Sequence, residues 1–293
     1  AEELSSLWPE DSVVASHRIS REWREYERTS TAVLAAYVHP VINRYLDSLE
    51  GRLRSEGFTG QPFVMQSNGG IATIAAGRAN PITMVESGPA SGVLGAVALG
   101  EMIGEPNIIA LDIGGTTAKC SLIEDGKAVL TTDYKIDWSR TKAGYPIKTP
   151  VIDIVEIGNG GGSIAWIDEG GKLHVGPESA GAQPGPAAYG RGGTEPTTTD
   201  AHLITKRIDQ DYFLGGEIVP DMDNVRRAFS GLAKRLGVDI DDAARGIIRV
   251  ANANMVNALK LVSLNKGYDP RDFSLVAYGG GGAMHAGALA AEL

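Results

Sequence analysis

Six residues within eight positions have the types and spacing that polyphosphate chemistry requires. They stand in the stretch NIIALDIGGTTAKCSL, Asn107 to Leu122. Asp112 supplies a carboxylate that can hold Mg2+, directly or through water. Gly114 and Gly115 let a turn bring backbone N–H groups close to an anion with no Cβ in the way. Thr116 and Thr117 add hydroxyl donors, and Lys119 adds a cation. A plain turn between charged strand ends would need one glycine and none of the rest.

Such a turn must be delivered by its flanking elements. Ile108 to Leu111 reads as a buried strand that ends in Asp112, and the apolar run after Lys119 reads as a second strand. Glu124, Asp125 and Gly126 form the next hairpin turn. No GxxxxGK[ST] pattern occurs, so a phosphate-binding helix is not expected. Strand, DxGGT turn, strand resembles the way actin-like and sugar-kinase-like ATPases hold phosphate.

Two further glycine-rich turns are candidates for the same site. The strand PFVMQ runs into Ser67, Asn68, Gly69 and Gly70, expected to line a ligand cleft, with an ordinary βα loop as the competing reading. The strand Phe273 to Ala277 leads to Gly279, Gly280, Gly281 and Gly282, and a helix follows. Bare backbone there would let a base or ribose lie close; a packing turn is the alternative. Gly160 to Ala165 fits a loose GxGxxA, but a dinucleotide fingerprint must open a helix. Ile164 to Ile167 and the turn at Glu169 to Gly171 favour strands instead, so that motif is rejected.

Among titratable residues, Asp153 and Glu156 lie three apart on one strand and so face opposite sides of a sheet. Asp153 is the acid–base or metal candidate, with ordinary solvation equally open. Asp200 and His202 close the Gly- and Pro-rich segment 176–200, and they are candidates to ligate a further divalent metal. A hydrogen-bonded His202 without metal is the competing reading. His285, in the first turn after the last glycine run, suits either ligand contact or core packing. Cys120, the only cysteine, is flanked by apolar residues and is expected in the core.

The elements around these candidates are largely helical. Arg21 to Glu56 carries Leu34, Tyr37, Val38, Val41, Ile42, Tyr45, Leu46, Leu49 and Leu53 at helical spacing, with Pro40 expected to kink or split it. Residues 131–150, with Trp138, Arg140 and Tyr145, read as a surface excursion over the site. Asp223 to Leu236 is expected to be an amphipathic helix with Val225, Phe229, Leu232 and Leu236 inward, and Asp239 to Asn265 a longer one.

The 293 residues suffice for a sizeable core, and 43% apolar with 22% charged residues is a globular composition. A net charge of −9 with no basic run disfavours nucleic acid as a partner. No apolar stretch is long enough to suggest a membrane span, and AEELSSLWPE lacks the start of a signal peptide. The cytoplasm is the expected compartment.

Taken together, the runs ERTSTAVLAAYVHP, MQSNGGI, ESGPASGVLGA, ALDIGGTTAKCSLI, DIVEIGNGGGSIA, GPESAGAQPGPAAYGRGG, TDAHL and YGGGGAMHAG resemble the hydantoinase A/5-oxoprolinase family. They cover nearly the whole chain in the family's order. The resemblance implies an α/β, actin-like ATPase fold, with mixed sheets flanked by helices, and residues 1–293 as the central domain. It also implies ATP-dependent opening of a cyclic amide such as a hydantoin or 5-oxoproline, with ATP and Mg2+ as cofactors. A hydantoinase B-type partner subunit and an oligomer follow from the same resemblance. Family members begin with a lobe carrying a first DxGGT-type motif; this chain has one such motif, at Asp112, so a fragment lacking that lobe is expected. Three other functions compete: the ATP-binding subunit of an acetone-carboxylase-type enzyme, a non-catalytic actin-like nucleotide-binding module, and a sugar kinase. The last would need a substrate lobe with a catalytic Asp that is not found here.

Overall fold

The computed structural model describes residues 2–7, 13–138 and 142–293. The chain forms two compact units, Ala1–Gly95 with Ala128–Asp153, and Ala96–Lys127 with Ile154–Leu293. The architecture is mixed α/β with mixed sheets flanked by helices, the actin-like class that the sequence implied.

The second unit holds the central sheet, in the order Ile154–Ile157, Ala118–Glu124, Ile108–Ile113, Ser274–Tyr278. The first two pairings are antiparallel and the last is parallel. Ile108, Ile109, Ala110 and Leu111 are at most 1% exposed, because their strand has neighbours on both edges and is covered on both faces. The helix Ile240–Val262 packs on the face that carries Cys120, whose Sγ lies 3.5 Å from the Ala258 carbonyl oxygen.

The helices start and stop where side-chain chemistry dictates. The Asp221 side chain accepts from the Asn224 N–H to open Met222–Leu236, and Gly237 closes that helix in the left-handed conformation. Asp239 caps Ile240–Val262 in the same way, through the Asp242 N–H. Val225 and Phe229 are fully buried and join Leu203, Ala244 and Ile247 in the main core, with Leu232 and Leu236 packed against it as expected.

The first unit departs from the sequence expectations in two places. The helix Glu25–Ser55 runs through Pro40 unbroken. Pro40 lies on its exposed side, where water can serve the carbonyl that a missing N–H leaves free. The apolar spacing also marks two stripes, of which one is covered. Ala35 and Leu46 are buried, whereas Val33, Tyr37, Val41 and Tyr45 are exposed. Within 131–150 the strands Tyr134–Trp138 and Ala143–Ile147 pair antiparallel as hairpin arms, in place of a loose excursion. Ile147 is fully buried against Ala35 and Ile82, so the hairpin belongs to that unit's core. Arg140 lies outside the described residues.

Candidate functional site

The Asp112 turn joins the antiparallel strands Ile108–Ile113 and Ala118–Glu124, as the sequence predicts. The Gly114 N–H donates to the Thr117 carbonyl at 3.0 Å and closes it. Register then sets up a row of side chains across four strands. Tyr278 pairs with Asp112, Asp112 with Lys119, and Lys119 with Glu156. Residues paired across neighbouring strands point to one face, so hydroxyl, carboxylate, ammonium and carboxylate line up beside the turn. Lys119 donates to Thr117 Oγ1 at 3.2 Å and forms an ion pair with Glu156. Burial raises the Tyr278 hydroxyl above its ordinary pKa, and the neighbouring charge of Asp112 adds to that.

The backbone of the turn is asymmetric in its hydrogen bonding. Its carbonyls are occupied: Gly161 N–H donates to Gly114 O at 2.9 Å, and Gly162 N–H donates to Gly115 O at 2.6 Å. Among the described residues, the N–H groups of Gly115, Thr116 and Thr117 reach no acceptor in the chain. Gly115 and Thr116 are also exposed. Three successive N–H groups without an internal acceptor make this turn the candidate nest for an anion. A Cβ on Gly115 would meet nothing within 4 Å, so the fold itself does not require glycine there. Gly160 is the opposite case, because a Cβ would stand 2.7 Å from the Gly114 oxygen. The run Gly160 to Gly162 is therefore the platform behind the nest, a role that sequence reasoning missed when it dismissed the dinucleotide motif. Its strand-to-strand position, beside a second glycine turn, was the available signal.

The last glycine run also packs on this turn. Gly281 N–H donates to Ile113 O at 2.8 Å, and a Cβ on Gly279 would collide with the Asp112 carboxylate. Gly281 and Gly282 are buried, which corrects the expectation that all four glycines face a ligand. Gly280 alone of the four is exposed with open space beside it, since a Cβ there would meet nothing within 4 Å.

The remaining candidates take other roles. Ser67 to Gly70 turns a hairpin between Phe63–Met65 and Ile71–Thr73, in the first unit. The buried Ser67 hydroxyl faces two carbonyls, 2.7 Å from Thr83 O and closer still to Val85 O, and Asn68 Oδ1 accepts from the Gly70 N–H at 2.9 Å. Ser67 is thus a structural residue. Asp153 falls in the first unit, between two short strands, and Glu156 is the carboxylate that joins Lys119.

The metal pair Asp200 and His202 does not form. Asp200 is a fully buried helix cap, and its carboxylate accepts from the N–H groups of Ala187, Ala188 and Thr197 and from Thr197 Oγ1 at 2.7 to 3.2 Å. Burial still raises its pKa. Two residues apart on a helix, the side chains diverge, and His202 meets His285 instead, Nε2 to Nε2 at 3.1 Å. Among the described residues, no three His, Cys, Asp or Glu side chains cluster as a metal site.

The family model described as Hydantoinase/oxoprolinase matches residues 28–293. An uncharacterized protein of Methanocaldococcus jannaschii is 41% identical over 99% of this chain and 43% of its own length. The alpha subunit of caprolactamase from Pseudomonas jessenii is 39% identical over 97% of this chain and 40% of its own. The solved structure of that ATP-dependent caprolactamase matches with a TM-score of 0.81. A nucleotide-free acetone carboxylase structure matches with a TM-score of 0.84 at 28% identity, over 99% of this chain and 40% of that one. The chain thus spans about two fifths of the length of the curated relatives it matches.

Proposed function

This chain belongs to the hydantoinase/oxoprolinase family, and we propose that it is the central, ATP-using region of an enzyme that opens cyclic amides. The observation that carries this reading is the nest of Gly115, Thr116 and Thr117 N–H groups, set beside Asp112 and Lys119. In it, the three N–H groups take phosphate oxygens and Lys119, oriented by Glu156 and Thr117, offsets their charge. Gly280 gives the nucleoside a bare approach.

Asp112 fits Mg2+. Its carboxylate is half-buried at the edge of the nest and, among the described residues, receives no hydrogen bond from the chain. One carboxylate with phosphate oxygens and water is the donor set this hard cation takes. When bound, Mg2+ supplies charge neutralisation on the phosphates.

The chemical logic concerns a poor electrophile. Transfer of a phosphoryl group from ATP to the lactam oxygen gives the carbonyl carbon a leaving group. Water then adds there and the ring C–N bond breaks to leave an acyl phosphate, which a second water hydrolyses. The products are the ring-opened amino acid (its N-carbamoyl derivative from a hydantoin), ADP and phosphate. A hydantoin or 5-oxoproline is the proposed substrate, and a second subunit of hydantoinase B type the proposed partner in an oligomer. The relative in Pseudomonas jessenii is itself a subunit, which supports this. No described helix is long and apolar enough to cross a membrane, which agrees with a cytoplasmic enzyme.

The likeness to acetone carboxylase favours a second reading, the ATP-binding subunit of a ketone carboxylase. Coupled ATPase assays of the full-length protein with its partner subunit separate the two. Stimulation by cyclic amides supports the first reading, and stimulation only by small ketones with bicarbonate supports the second. ATP turnover indifferent to both panels would point to a nucleotide-binding module and contradict both.

A further inference from the structure

We infer that the buried pair His202–His285 is a positioning latch that holds the nest and the Gly280 turn at a fixed separation. This rests on the nucleotide reading given above only for what the latch serves, not for its existence.

The two rings meet edge to face, with centroids 4.7 Å apart, and both are at most 1% exposed. Their Nε2 atoms lie 3.1 Å apart, so one must carry a proton and the other a lone pair. His285 Nδ1 stands 2.6 Å from Asn252 Oδ1, an acceptor, so Nδ1 carries the proton of His285. A neutral imidazole has one N–H, which leaves His285 Nε2 bare to accept from His202 Nε2–H. His202 Nδ1 is then bare, and it is buried with no hydrogen-bond partner among the described residues. Burial lowers His202 to about 3 and His285 to about 4, and the nearby Arg207 charge acts in the same direction on both. The pair is therefore neutral at physiological pH with both tautomers fixed.

Each ring stands on an element that grips one side of the candidate site. His285 is in the first turn of Gly282–Glu292, directly after the turn whose Gly281 N–H donates to Ile113 O. His202 is on Thr198–Ile204, where the Thr199 N–H and Oγ1 both donate to Gly161 O, at 2.7 and 2.9 Å. Gly161 N–H in turn donates to Gly114 O. The histidine contact closes a ring of hydrogen bonds through Gly114, Gly161, Thr199, His202, His285, Gly281 and Ile113, all in the second unit. Arg207 adds a parallel tie at the rim, from its guanidinium to the Met284 carbonyl at 3.0 Å. The two histidines are positioning residues: they touch no ligand position, and they set the distance between the phosphate cradle and Gly280.

The variant His202→Phe keeps an aromatic ring and removes both the N–H donor and the unpartnered nitrogen. Amide hydrogen exchange is measured in wild type and variant. The Gly161 and Gly281 N–H groups are expected to exchange about tenfold faster in the variant, the loss of one buried hydrogen bond, while amides of Ile240–Val262 keep their rates. Unchanged exchange at both glycines, or a uniform rise over the whole unit, would overturn the latch. Mg·ADP affinity of the variant is expected to fall about tenfold with its melting temperature nearly kept. Wild-type protein that binds no nucleotide would sink the functional reading, and the exchange result would still decide the latch. If the variant does not fold, histidine 15N spectra of the wild type decide: His285 must appear as the Nδ1–H and His202 as the Nε2–H tautomer. Any other assignment overturns the proposal.

Discussion

Two turns of this chain have nearly the same composition and opposite chemistry. Ser67–Asn68–Gly69–Gly70 and Gly114–Gly115–Thr116–Thr117 each join two antiparallel strands with paired glycines and hydroxyl or amide side chains. In the first, both glycine N–H groups are satisfied within the turn. Gly69 N–H donates to Gln66 O, Gln66 N–H to Gly70 O, Gly70 N–H to Asn68 Oδ1, and Ser67 Oγ lies against two carbonyls. In the second, the carbonyls are occupied by Gly161 and Gly162, and three N–H groups have no acceptor among the described residues. Glycine content tells the two apart in neither case; the accounting of backbone donors does.

Substitutions that break one turn and spare the other sharpen this contrast. The largest effect is expected for Gly115→Val. Nothing in the fold meets its side chain, yet the side chain enters the space where phosphate oxygens approach the nest. Mg·ADP affinity should fall about a hundredfold, two charge-assisted hydrogen bonds' worth, with the denaturation midpoint unchanged. Titration calorimetry paired with urea melts reads both; loss of fold and ligand together would make the turn merely structural. Lys119→Met should weaken nucleotide binding about tenfold. It also leaves Glu156 without its ion pair, so Lys119→Met with Glu156→Gln should not restore affinity if the ammonium acts on phosphate itself. Ser67→Ala should leave nucleotide affinity alone and cost about 1 kcal/mol of stability, because the one hydroxyl donor facing the Thr83 and Val85 carbonyls is lost while Thr83 O keeps the Ser67 N–H. The smallest effect is expected for Asn68→Ala, an exposed side chain with one hydrogen bond to its own turn. It should change stability by no more than about 0.5 kcal/mol.

These contrasts also separate what the sequence discloses from what it hides. The Asp112 turn and its two strands were legible because an apolar run, an acid and paired glycines are all local signals. The helix Met222–Leu236 was legible for the same reason, its inward face lying within its own fifteen residues and its stop, Gly237, directly after them. Partners distant in the chain were not. Alternation assumed one strand for Asp153 and Glu156, whereas Asp153 lies between two strands and only Glu156 is in Ile154–Ile157. That Glu156 meets Lys119 depends on the register of two strands 37 residues apart at that contact. Helical spacing identified Glu25–Ser55 and could not say that Leu46 is covered while Tyr45 is exposed. Asp200 looked like a ligand because the donors to its carboxylate, Ala187 and Ala188, lie thirteen and twelve residues upstream in a segment with no periodic pattern.

The central claim is that Gly115, Thr116 and Thr117 present their N–H groups to phosphate, and an amide-resolved NMR titration with Mg·ADP and Mg·ATP tests it most directly. The expected result is that these three amides shift together and saturate at one ligand concentration, while Gly69 and Gly70 stay in place. Saturable shifts confined to other residues, or no shift at millimolar nucleotide, would contradict it.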